Sequence, residues 1–142
     1  MGSASLIVAE RESLDGDALD LEKEHTRLFL DPLGAPCPPW QSVHGHEPQL
    51  MGEAHHQALS WYRRFGVEPR AAGEPSDHVG LLLNFYAHLV LRNASAEDLC
   101  EFRAQHIDWI PGFCESVARV SRHPFFAALA KLTKCLVEGP AS

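Results

Sequence analysis

Asp77 and His78 stand side by side at the entrance to the most apolar stretch of the chain, GEPSDHVGLLLNFYAHL over residues 73–89. An acid next to an imidazole can move protons, ligate a metal or hold a cationic partner. At a helix start the acid can also do no more than complement the helix dipole. The chain has nine histidines, and His44-Gly-His46, His55-His56 and Asp77-His78 come nearest to metal-ligand spacing. Neighbouring residues on a helix point about 100° apart, so His55 and His56 do not readily share one ion. No H-E-x-x-H is present, and helical hydrolases of the HD type use His-Asp rather than the Asp-His found here. No Ser or Cys sits in a nucleophile setting, and there is no glycine-rich phosphate loop. The chain is therefore read as a non-enzyme with no catalytic residues, no metal and no cofactor. The competing reading is a metal-dependent helical hydrolase built on His44, His46, Asp77 and His78.

The elements that must position these residues are helical, because the apolar periodicity is close to 3.6 nearly throughout. Leu21, His25 and Leu28 form one stripe. DPLGAPCPPWQSVHGHEP follows with five prolines, too many for a helix, and loops of that length are often functional. Met51, His55, Ala58, Tyr62 and Phe65 make the next stripe, with Gly66 as its stop. Ser76 after Pro75 is the expected N-cap of a third helix, with Asp77 in its first turn and its carboxylate at the surface. That helix is apolar on nearly every side, as expected of one at the centre of a bundle, and Asn84 and His88 interrupt it on the stripe of Asp77. Ser95-Ala-Glu-Asp98 has capping-box spacing and opens a helix with Leu99, Phe102 and His106 inward. Trp109, Ile110 and Pro111 mark a corner, and Phe113, Val117 and Val120 stripe the helix after it. Pro124 starts the last helix, expected to bury Phe125, Leu129, Leu132 and Leu136 and to expose Lys131 and Lys134. The expected fold is all-α, a single bundle of about six helices. Residues 1–15 are read as a partly disordered N-terminal segment, 16–138 as the helical domain and 139–142 as a tail.

The 142 residues suit one domain, and 45% hydrophobic content is enough for a core. A net charge of −7 argues against a nucleic-acid binder. Cys37, Cys100, Cys114 and Cys135 form no C-x-x-C pair, which fits reduced thiols in a cytoplasmic protein. The longest apolar run is too short to span a bilayer, and the apolar patch at the start has no basic region before it, so neither membrane insertion nor a secretion signal is expected.

Five segments carry a more specific signal. EPSDHVGLLLNFYAHL resembles the E-P-x-D-H signature of the TorD/DmsD family, cytoplasmic chaperones of molybdoenzyme maturation. In the same order as in that family, EHTRLFLDP is similar to its R-L-F segment and PCPPWQSVH to its P-P-(aromatic)-x-S loop. QHIDWIPGF is similar to its H-x-x-W-x-P-x-F corner, and RHPFFAALAKL to its last helix. Together they cover residues 21–137, and the DmsD branch is the more similar. The resemblance implies that the chain grips the N-terminal, twin-arginine leader of a dimethyl sulfoxide reductase-class catalytic subunit and delays its export until cofactor insertion. It places Glu74, Pro75, Asp77 and His78 in the leader-binding region, facing Pro39, Trp40 and Ser42, with Leu28 and Phe29 on the same surface. Where His25 stands the family often carries an aromatic. Fewer residues precede the R-L-F segment than is usual, so a bundle without the family's first helices is expected. Either the chain is a truncated product or a second copy, in a homodimer with exchanged helices, supplies the missing cover.

Overall fold

The computed structural model describes residues 18–69 and 73–139, so the segment 1–15 and all of the tail beyond Gly139 lie outside the described residues. Six helical segments follow one another. Helix α1 covers residues 18–25 and runs on as a π-helical turn, Thr26–Leu30. The proline-rich loop then folds into one 3-10 turn, Gln41–His44. After it come α2 (Glu53–Arg64), α3 (Val79–Leu91), α4 (Ala96–Phe102, continued by a π-helical turn Arg103–Ile107), α5 (Ile110–Val120) and α6 (Pro124–Glu138). Among the described residues the only β pairing is a single antiparallel bridge, Trp40 with His78. The expected all-α bundle is observed.

Local chemistry sets most boundaries. Ser95 Oγ accepts the Asp98 N–H at 3.1 Å, so the capping box opens α4 as expected. Helix α2 stops at Phe65 because Gly66 takes φ +68, a left-handed conformation open to glycine at little cost. Pro111 sits in the first turn of α5 and Pro124 opens α6, where a missing N–H costs nothing.

Helices α5 and α6 form an antiparallel hairpin, and α1 is latched to its turn. Glu24, 7% exposed, takes Arg27 Nε at 2.6 Å and Nη2 at 3.1 Å, and the Arg122 N–H as well. Arg27 Nη2 goes on to the Val120 carbonyl at 2.9 Å. The guanidinium of Arg27 holds the Glu24 carboxyl down at about 2. On the other side of the bundle Phe102 is fully buried, with Trp61, Phe85 and His106 rings within 5.4 Å of it. Phe85 belongs to that core as well, at 3% exposure.

Two expectations about exposure are corrected. Helix α6 buries Phe126, Ala130 and Val137, whereas Phe125, Leu129, Leu132 and Leu136 are 45–74% exposed. The small Ala130 lets α6 approach the bundle along that face, which turns the larger residues outward. Helix α3 is not enclosed all round either: Leu82, Phe85 and Leu89 are buried, but Asn84, Val90 and Leu91 are exposed. One face of the helix stays open along its middle at Asn84 and Ala87, and its C-terminal end is uncovered at Val90 and Leu91.

Candidate functional site

The proline-rich loop and the Glu74–His78 segment are stitched together backbone to backbone. Gln41 N–H donates to the Asp77 carbonyl at 3.2 Å, and Val79 N–H donates to the Pro39 carbonyl at 2.8 Å. That second bond occupies an orphan donor of the α3 N-terminus, a need every helix start has. The N-cap of α3 is therefore His78, whose Nδ1 accepts the Gly80 N–H at 3.0 Å, and not Ser76. The sequence expectation is corrected because capping here depends on a loop some forty residues away in the chain rather than on the local serine.

Asp77 is corrected more strongly. It precedes the N-cap, and its side chain has no exposed surface. Oδ2 accepts the Ser42 N–H at 2.7 Å, and Oδ1 has no hydrogen-bond partner among the described residues. The carboxylate fastens the two segments from inside and does not stand at the surface. Ser42, itself buried, caps α2 at long range: its Oγ accepts the Gly52 N–H at 3.1 Å and the His55 N–H at 3.3 Å. Leu28 is fully buried and its carbonyl takes the Cys37 N–H at 2.9 Å, so it supports the site from behind. Pro75 is buried too, in the turn closed by His78 N–H to its carbonyl at 3.1 Å.

Of the expected residues, Phe29, Trp40, Glu74 and His78 are partly exposed. Trp40 Nε1 donates to Glu74 Oε1 at 2.5 Å, and the Trp40 ring meets the His78 ring edge-to-face at 6.1 Å. Glu74 Oε2 has no hydrogen bond among the described residues. With Nδ1 engaged by Gly80, a neutral His78 carries its hydrogen on Nε2, which stays available as a donor. Burial lowers the His78 pKa from its ordinary value, opposed by the charges of Glu74 and Asp77. A side chain at Gly80 would bring a Cβ to 3.2 Å from His78 Nδ1 and press on the ring by a few tenths of an ångström.

Beside this patch an apolar cavity of about 230 Å³ opens between α1, α3, α5 and α6. Pro39, His78 and Phe29 line it, facing Leu83, Phe113 and Phe126. Phe29 is the aromatic hub, with ring centroids 5.2 Å from His25, 5.9 Å from Phe126 and 6.2 Å from Phe113. His25, in the place of the family's frequent aromatic, is thus an aromatic neighbour of the cavity. No carboxylate lines the cavity, and the acid of the site is Glu74, bonded to Trp40 beside it.

The hydrolase reading loses its constellation. His44 Nε2 bonds the Pro38 carbonyl at 2.5 Å while its ring stacks on Trp109, and Asp77 is buried against Ser42. Among the described residues no group of three or more His, Cys, Asp or Glu side chains comes together as metal ligands.

Residues that the sequence reading did not assign to the site hold it in place. Gln41 Nε2 donates to the Gln105 carbonyl at 2.6 Å, which leaves Gln41 Oε1 to accept from His106 Nδ1 at 2.8 Å. His106 is fully buried, with Nε2 unpaired among the described residues. Burial lowers its pKa to about 4, the charge of Asp77 opposing. Tyr62 donates its hydroxyl to the Ser76 carbonyl at 2.6 Å. The polar residues His55, Tyr62 and His106 on inward-facing helical stripes were the available signal.

An all-helical bundle with these five motifs around one apolar cavity defines a class, and comparison with known proteins identifies it. The family described as nitrate reductase delta subunit matches residues 4–115, and the chain belongs to it. Chaperone protein TorD of Shewanella piezotolerans is 29% identical over 139 residues, 90% of this chain and 65% of that protein. The Tat proofreading chaperone DmsD of Salmonella typhi is 33% identical over 111 residues, 76% of this chain and 54% of that protein. A crystal structure of an Archaeoglobus fulgidus protein described as a redox enzyme maturation protein superposes with a TM-score of 0.65 at 28% identity, covering 84% of this chain and 67% of that one. The chain thus spans between about half and two thirds of these curated relatives. Among the described residues no helix is long and apolar enough to cross a membrane.

Proposed function

We propose that this chain is a non-enzymatic, cytoplasmic chaperone of molybdoenzyme maturation. It binds the twin-arginine leader of a dimethyl sulfoxide reductase-class catalytic subunit and holds it back from export until its cofactor is in place. The observation that carries this reading is the junction of two unlike surfaces: the apolar cavity lined by Phe29, Leu83, Phe113 and Phe126, and at its rim the Trp40–Glu74–His78 group. A leader with a basic segment followed by an apolar one has the same division. Its apolar segment would enter the cavity, where burial is favourable at about 25 cal/mol per Å². Its arginine would lie on the Trp40 ring and meet the free oxygen of Glu74, a charge-assisted contact. His78 Nε2 would supply a hydrogen bond to a peptide carbonyl. Asp77 and Ser42 act from behind, by holding loop and segment in register.

Calorimetric titration with a twin-arginine leader peptide tests the reading. The wild type should bind, and Glu74→Gln, which keeps the shape and removes the charge, should bind about tenfold more weakly for a loss of about 1.4 kcal/mol. Equal affinity of the two proteins would remove Glu74 from the contact. No binding by the wild type would defeat the reading itself.

A further inference from the structure

We infer that His55 is a positioning residue of the peptide site, holding the Glu74–His78 segment against the proline-rich loop from the first turn of α2. This role rests on the peptide-binding reading. His55 is 7% exposed, and its Nδ1 accepts the Ser76 N–H at 2.8 Å. Its own N–H donates to Ser42 Oγ at 3.3 Å. One residue therefore touches both stitched segments. Two turns further along, Tyr62 takes the other backbone polar group of Ser76, its carbonyl, at 2.6 Å. Ser76 is 5% exposed, so water cannot replace either partner without opening the site.

The chemistry is selective. Because Nδ1 accepts, the fitting form of His55 is the neutral tautomer with hydrogen on Nε2, and a hydrogen on Nδ1 would oppose the Ser76 N–H. The His56 ring, centred 5.0 Å away, packs edge-to-face on it. Ser76 lies between Glu74, bonded to Trp40, and Asp77, bonded to Ser42. Slack at Ser76 therefore moves the Glu74 carboxylate off Trp40 and loosens the Trp40–His78 bridge. The His55-His56 pair, which looks like a metal motif in sequence, is a clamp and its packing partner.

The test compares His55→Leu, which removes the acceptor, with His55→Asn, whose amide oxygen falls near the place of Nδ1. For each, the exchange rate of the Ser76 amide and the affinity for a twin-arginine leader peptide are measured. His55→Leu should speed Ser76 exchange and weaken peptide binding, each about tenfold, and His55→Asn should restore most of both. If His55→Leu does not fold, Tyr62→Phe tests the same clamp from its other end and should weaken binding with helical content retained. Wild-type affinity in His55→Leu, no rescue by His55→Asn, or, in the fallback, wild-type affinity in Tyr62→Phe overturns the positioning role while leaving the peptide reading intact. A wild type that binds no leader peptide overturns both.

Discussion

Acidification from pH 7 to pH 4 should cost this protein on the order of 3 kcal/mol of folding stability through His106 alone. His106 is fully buried on α4's π-helical turn, and burial lowers its pKa to about 4 from the ordinary 6.5. Above pH 6.5 neither the folded nor the unfolded chain protonates it, and its full contribution is present. As pH falls from 6.5 toward 4, the unfolded chain gains a proton that the folded chain refuses, so stability drops. Below about 4 both states are protonated and the loss levels off. Glu24 acts in a lower window: its carboxyl is held at about 2, so its contribution is present above pH 4.5 and is lost as pH falls through about 2. Denaturant melts between pH 7 and 4 of the wild type and His106→Gln separate the two. The variant should lose most of the slope between pH 6.5 and 4, whatever its stability at pH 7. An unchanged slope would mean that His106 is not the group responsible.

Asp77→Ala should lower stability by about 1.5–3 kcal/mol, the range for a hydrogen bond to a charged group. The change leaves the Ser42 N–H without its acceptor in a buried place and unfastens the loop from the segment before α3. Asp77→Asn should cost less than half as much, since an amide oxygen can still accept from Ser42. Urea melts read both. If Asp77→Ala melted like the wild type and lost only peptide affinity, Asp77 would be a contact residue and not a fastening one.

What could be read from the chain depended on how local each cause was. The Ser95 cap, the stop at Gly66 and the proline at the start of α6 are settled within a few residues, and all stand where periodicity and capping rules put them. Ile110 and Pro111, read as a corner, already belong to the first turn of α5. Helix α6 has two apolar stripes, one of Phe125, Leu129, Leu132 and Leu136 and one of Phe126, Ala130 and Val137. Periodicity cannot rank them, because the choice is made by how closely α5 approaches. Asp77 shows the same limit at the site. Its neighbours in sequence suggest a first-turn acid at the surface, but its place is fixed by Ser42, 35 residues earlier. The five motifs marked the segments that come together without marking which side chains face out. Trp40, Glu74, His78 and Phe29 reach the surface or the cavity, whereas Leu28, Ser42 and Asp77 are buried beneath them.

In the proposed complex the client's apolar leader segment enters the cavity between α1, α3, α5 and α6. Photo-crosslinking from a reactive residue placed in that segment of a twin-arginine peptide, with the sites mapped by mass spectrometry, tests this placement. Crosslinks are expected at Phe29, Leu83, Phe113 and Phe126, which line the cavity. Crosslinks confined to the exposed end of α3 around Leu91, or no more than a scrambled peptide gives, would contradict it.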